Sequence, residues 1–258
     1  MDGQDKIQTC LDTDEAKNFK FLIPYRICLI GEMDSGKSSF IINLLEQFNV
    51  QTDIIEKDFQ IDVYFCYSTK ESLLRVAAAI KKHAFFRNFI PIEKLSNSLL
   101  DIKNHTLHDK VKSLIIFEDL QYNIRSLRKE NMTKFNSFLL DSRHKSISII
   151  YVMHEYPDAT QSSFSSTFDR NFLNQSTDII IFRSLHNKKI MNIIASRIFA
   201  DQFQEFKKIV ADIDEVYSRL YKHGRNHIVI SADFRKNLKN LERIRFDIFE
   251  KRLCVRDC

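Results

Sequence analysis

Glycine and proline are scarce in this chain, with four and three residues in 258. Flexible linkers are built from such residues, so no linker divides the sequence, and the length suits one large α/β domain or two small ones. No apolar run approaches the roughly 20 residues that span a bilayer, so neither a transmembrane helix nor a membrane partner is expected. A signal-peptide pattern is missing from the N-terminus, and there is no internal repeat or low-complexity tract. Cysteine is sparse too: Cys10, Cys28, Cys66, Cys254 and Cys258 form an odd, scattered set. Because Cys28 and Cys66 fall in predicted buried strands, a disulfide framework is not expected. A reducing intracellular compartment, cytosol or nucleus, follows from that reading.

What is present is an ordinary globular composition, 44% hydrophobic and 28% charged, with a net charge of +5. The charge is uneven. Residues 1–19 carry five acids and two bases, a net of −3, which leaves the remainder at +8. Residues 1–19 read as a loose acidic tail and residues 20–258 as a single domain. Between Asp233 and Asp257 eight bases face five acids. Such a run is either the solvated face of a helix or a contact for nucleic acid.

Two of the four glycines sit in one stretch, Gly31-Glu32-Met33-Asp34-Ser35-Gly36-Lys37-Ser38. It fits G-x-x-x-x-G-K-[ST], follows the run Arg26-Ile27-Cys28-Leu29-Ile30 and precedes an apolar helical face from Phe40 to Leu45. A strand, a tight turn and a helix are therefore expected in that order. In such a turn the backbone N–H groups of Asp34, Ser35 and Gly36 and the positive helix end, with Ser39 in the first turn, meet phosphate oxygens. Lys37 would reach the β- and γ-phosphates, and the Ser38 hydroxyl would ligate Mg²⁺. ATP and Mg²⁺ are the expected ligands.

Further strands are expected at Ile61–Tyr67, Ser113–Phe117, Ile147–Met153, Thr177–Arg183 and, last, His227–Ile230. Helices are expected from Ser68 or Thr69 as N-cap, over Leu127–Leu140, and at the apolar spacings 190–199 and 203–220. Phe85–Ile92 is aromatic and irregular, and reads as a packed connection. The alternation of strands and helices means a parallel α/β sheet. Such sheets bind ligands at the carboxyl ends of their strands, where Glu118 and Asp119 follow the third strand and His154 follows the fourth. One acid would hold Mg²⁺ and the other would polarise the attacking water, with His154 as a sensor of water or the γ-phosphate. Arg143 and His144 are either a solvated loop or an arginine finger directed into a neighbouring subunit. His105 and His108 read as surface residues. His223, His227, Cys254 and Cys258 are zinc-type ligands at a spacing that matches no zinc pattern.

The order of these motifs resembles the DNA-packaging ATPases of the FtsK–HerA superfamily, of the large DNA virus and polinton (Maverick) type. The resemblance covers about residues 20–250. Its more particular part is Ser142-Arg143-His144 before Ile147–Val152, followed by Arg170 and Leu173-Asn174 leading into Ile179–Arg183. It implies an additional-strand, RecA-like P-loop NTPase: an α/β fold with a central, mostly parallel sheet flanked by helices. It also implies a ring homo-oligomer that drives double-stranded DNA into a capsid, with a capsid or portal protein as partner. Action would be in the host cytoplasm or nucleus at the site of virus assembly, or in association with the virion. Under this resemblance Lys37 binds phosphate, Ser38 and Glu118 take the Mg²⁺ side, Asp119 activates water and Arg143 acts in trans. Glu118 stands where the family favours Asp, which leaves the roles of the two acids exchangeable. His154 stands where the family usually has Gln.

The expected activity is ATP hydrolysis coupled to DNA translocation. A nucleotide-gated scaffold or switch, and a small-molecule nucleotide kinase, are the alternatives.

Overall fold

The computed structural model describes residues 20–32, 34–48, 52, 60–67, 69–93, 99, 111–118, 129–154, 172–182, 227–232 and 244–246. Eight strands form one sheet in the order β3-β2-β4-β5-β1-β6-β7-β8. They are β1 (Arg26–Ile30), β2 (Gln60–Cys66), β3 (Phe86–Ile92), β4 (Val111–Phe117), β5 (Ile147–Met153), β6 (Asp178–Phe182), β7 (His227–Ser231) and β8 (Ile244–Phe246). The described helices are α1 (Lys37–Glu46), α2 (Lys70–Ile80) and α3 (Lys129–Ser142). The acidic tail, the helical spacings at 190–199 and 203–220, and the basic segment apart from 244–246 lie outside the described residues. Among the described residues no helix is long and apolar enough to cross a membrane.

β1, β5, β6 and β7 are buried along their whole length, which explains why they read as continuous apolar runs rather than alternating ones. One face of the sheet, with Leu29, Val63, Ile116 and Val152, forms a core with Phe40 and Leu44 of α1 and Val76 and Ala79 of α2. On the other face Phe117 meets Phe135 of α3 at a ring distance of 5.3 Å, and Tyr151 meets Phe172 at 4.8 Å. The Thr69 hydroxyl accepts the Ser72 N–H at 3.2 Å and so caps α2.

Two expectations are corrected at the sheet edges. The stretch Phe85–Ile92 is not a connection throughout, because Phe86–Ile92 is the edge strand β3. Its alternation is broken by a register shift opposite Ile61 and Asp62, which sets Arg87 and Asn88 side by side. Both bind the buried Asp62: Arg87 Nε at 2.9 Å, Arg87 Nη2 at 2.5 Å and Asn88 Nδ2 at 3.0 Å. That hydrogen bond holds the Arg87 guanidinium above its usual range. Pro91 is tolerated because an edge strand can spare one N–H. At the opposite edge β7 is not the last strand, since β8 follows it, too short at three residues to show a period. The order is parallel through β6, but β7 and β8 run antiparallel to their neighbours.

Arg26, at the start of a run that reads as apolar, is a buried cation with 4% exposure. Its guanidinium donates to Gln175 Oε1 at 2.6 Å, to Ser142 Oγ at 3.0 Å and to the Leu139 carbonyl. A cation at the C-terminal end of α3 meets the negative end of the helix dipole and the carbonyls left without helical partners. Arg26→Ala should therefore lower unfolding free energy by about 3 kcal/mol, because it leaves the buried acceptors of Gln175, Ser142 and Leu139 without their charged donor. Urea denaturation checks this against Leu140→Ala, an exposed leucine on the same helix, which should change stability little.

Candidate functional site

The chain leaves β1 at Gly31, whose N–H donates to the Met153 carbonyl at 3.2 Å and ties the turn to the end of β5. A Cβ at Gly31 would lie 2.6 Å from Ser35 Oγ and 2.7 Å from Phe182 Cβ, so glycine is required for close approach to β6. Asp34 and Gly36 take left-handed backbone angles, φ 58° and 103°. Glycine carries that angle without strain, and Asp is among the residues that tolerate it. Gly36 then caps α1, which begins at Lys37.

Lys37 is buried, and its ammonium is satisfied inside the loop. Nζ donates to the Gly31 carbonyl at 2.6 Å, to Ser35 Oγ at 3.4 Å and to the Glu32 carbonyl. A phosphate entering the loop would exchange some of these neutral acceptors for charged ones, which form shorter and stronger bonds.

The second half of the site comes from β4. The Glu118 N–H donates to the Cys66 carbonyl at 3.0 Å, extending the β2–β4 ladder by one step and fixing the backbone of this acid. Across the cleft Ser38 Oγ donates to Glu118 Oε1 at 2.9 Å. Glu118 is 6% exposed, and its Oε2 is buried with no hydrogen-bond partner among the described residues. A hydroxyl oxygen and a carboxylate with an unmatched buried oxygen form the hard-oxygen donor set that Mg²⁺ takes, completed by waters and phosphate oxygens. The residues thus fit the metal. Burial pushes the Cys66 thiol well above its usual range, so it stays protonated beside the site and offers no nucleophile.

A cleft of about 370 Å³ gathers Asp34, Ser35, Gly36, Lys37, Ser38, Ser39, Glu118 and His154. Gly31 lies behind it as an acceptor for Lys37. Arg143 is not brought to this cleft. It opens a short 3₁₀ turn, Arg143–Lys145, before β5, whereas His154 follows the far end of that strand. Seven strand residues at about 3.3 Å each separate the two by roughly 20 Å. Asp119, Arg170, His105, His108, His223, Cys254 and Cys258 lie outside the described residues. His227 is a buried strand residue whose ring meets Phe40 edge-on at 5.0 Å. Among the described residues no three His, Cys, Asp or Glu side chains are grouped to hold a metal.

Sequence reasoning missed the opposite wall, Thr69, Glu71, Ser72 and Arg75 of the α2 start, together with Val152. The cap at Thr69 was legible, but its place beside the cleft depends on β2 lying next to β4, which no local pattern reveals.

β5 lies between β4, which carries Glu118, and β1, which carries the loop. The fold is that of an additional-strand P-loop NTPase. No family model matches the chain, and no curated protein matches it in sequence. Among solved structures it is similar to the genome packaging NTPase B204 from Sulfolobus turreted icosahedral virus 2 in complex with ATP-gammaS. That likeness has 11% identity and a TM-score of 0.45, over 86% of this chain and 95% of that one. It is also similar to EssC (ATPases 2 and 3) from Geobacillus thermodenitrificans, at 10% identity and TM-score 0.43 over 76% of this chain. EccC (ATPases 2 and 3) from Thermomonospora curvata, in complex with a signal sequence peptide, gives 13% identity and TM-score 0.38 over 63%. The match spans 45% of the EssC chain and 30% of the EccC chain. The fold assignment rests on the sheet order and the loop, not on these likenesses.

Gly31→Ala should displace the loop, because Phe182 Cβ, one bond from the backbone, has little room to retreat. The expected result is loss of nucleotide binding by at least tenfold, read by titration with a fluorescent ATP analogue, while circular dichroism retains the α/β spectrum. Unchanged affinity would show that the loop does not shape the binding site.

Proposed function

We propose that the chain hydrolyses ATP and couples turnover to translocation of double-stranded DNA, packaging the genome of a virus or virus-like element into a capsid. The observation that carries the nucleotide part is the Ser38 Oγ to Glu118 Oε1 hydrogen bond across a cleft floored by the Lys37 loop. The DNA part rests on the motif order of the FtsK–HerA packaging ATPases and on the +8 balance outside the acidic tail. Residues 20–258 would form one domain that assembles into a ring, with a capsid or portal protein as partner in a reducing intracellular compartment.

In this reading the N–H groups of Asp34 to Lys37 orient the phosphates, and Lys37 turns from its loop carbonyls to the β- and γ-oxygens. Ser38 and Glu118 would hold Mg²⁺, which supplies neutralisation of phosphate charge when bound. Asp119 orients the water that attacks the γ-phosphorus in line, releasing ADP and inorganic phosphate, and His154 faces the same cleft as a sensor. Arg143, at the other end of β5, would serve the cleft of a neighbouring subunit rather than its own. Basic residues would grip the DNA backbone, independent of sequence and weakened by salt.

Steady-state ATP hydrolysis with and without long double-stranded DNA tests the reading. Turnover should rise with DNA, the rise should fade between low and moderate salt, and Lys37→Ala should abolish both. Equal turnover with and without DNA in an oligomeric sample would transfer the reading to a kinase or a switch. Mixing separately inactive Lys37→Ala and Arg143→Ala proteins should restore measurable turnover, because some interfaces then pair an intact cleft with an intact arginine. Finger loss alone should cost about 10³-fold or more. No recovery on mixing would contradict the trans role.

A further inference from the structure

We infer that Arg75, acting on its own subunit's cleft, contacts the terminal phosphate of bound ATP and distinguishes ATP from ADP. The inference rests on the ATPase reading of this cleft and adds a residue that the P-loop motif does not include.

Four positions of the α2 start, Thr69, Glu71, Ser72 and Arg75, line the cleft opposite the P-loop. Glu71, Ser72 and Arg75 share one stripe of the helix by their spacing of three and four. The adjoining stripe, Val76, Ala79 and Ile80, is buried in the core. The Thr69 cap fixes the other end of this segment. The wall is therefore a rigid element rather than a loop.

Sheet order sets which side of the nucleotide this wall faces. β2, which leads into α2, flanks β4 on the side away from β5 and β1. The α2 wall thus stands beyond Glu118 as seen from the loop, on the side of Ser38 and Glu118 where the terminal phosphate and its metal belong. Helical side chains slant toward the helix N-terminus, so the long Arg75 stem carries its guanidinium toward the Thr69 end and the strand termini.

Arg75 is exposed and makes no hydrogen bond or ion pair with a described residue, so its donors are not committed to holding the fold. Among the described residues, Lys37 and Arg75 are the Lys and Arg side chains that line this cleft, and Lys37 is bonded to its own loop. Arg143 sits at the far end of the sheet. A guanidinium fork matches phosphate oxygens two at a time. Its hold tightens as charge spreads over the equatorial oxygens in phosphoryl transfer.

The experiment is equilibrium binding of Mg·ATPγS and Mg·ADP to the full chain, with ATP turnover measured on the same samples. Wild type, Arg75→Ala and Arg75→Lys are compared. Arg75→Ala should weaken Mg·ATPγS about ten- to a hundredfold, the worth of a charged hydrogen bond. Mg·ADP binding should be unchanged and turnover should fall by at least as much. Arg75→Lys should recover part of both losses, which a purely structural role would not produce. Wild-type binding and turnover in Arg75→Ala would overturn the inference and leave the ATPase reading standing. Equal weakening of both nucleotides would overturn the terminal-phosphate assignment. A wild-type protein that binds neither nucleotide would refute the ATPase reading, and the inference with it.

Discussion

The hydrogen bond between Ser38 and Glu118 joins residues 80 positions apart and depends on nearly every feature of the sheet. β5 separates β1 from β4, so the two strands stand two ladder spacings apart, about 10 Å. The loop must rise over the end of β5 before α1 can bring Ser38 back toward Glu118. Gly31 makes that rise possible by hugging Phe182, and its N–H anchors the turn to Met153. Glu118 in turn is held by the Cys66 carbonyl of β2. Five strands, β1, β2, β4, β5 and β6, thus position two oxygens.

Such a site requires burial of charge, which is costly unless each ion finds partners. Four of the described buried ions are handled in different ways. Lys37 is met by loop carbonyls, Arg26 by the end of α3 and by Gln175, and Asp62 by the Arg87 fork and Asn88. Glu118 lines the cleft, and its Oε2 is buried there with no hydrogen-bond partner among the described residues. The contacts of Arg26 and Asp62 fasten the fold, and those of Lys37 hold its ammonium in the loop at the cleft. The incompletely matched carboxylate is what a cation-binding position requires.

Much of this was legible in the residues because it is local. The loop, the strand before it, the helix after it and the Thr69 cap all follow from spacing within about ten residues. Long buried strands such as Ile147–Met153 announce themselves by continuous apolar character. What escaped depends on contacts distant in sequence. Arg26 reads as an intruder in an apolar run until α3 and Gln175 are placed around it. Arg87 and Asn88 disguise an edge strand because they answer an acid on the neighbouring strand. Arg143 and His154 lie close in sequence yet at opposite ends of β5, whereas Arg75 and Glu118 lie far apart in sequence and line one cleft.

Ser38 and Glu118 are proposed as the metal side of a nucleotide site. The most direct test is the affinity for ATPγS measured with and without Mg²⁺, in wild type and in Glu118→Gln. Mg²⁺ should tighten binding to the wild type, and Glu118→Gln should remove most of this gain while retaining metal-free affinity. An identical Mg²⁺ dependence in both proteins would contradict that proposal.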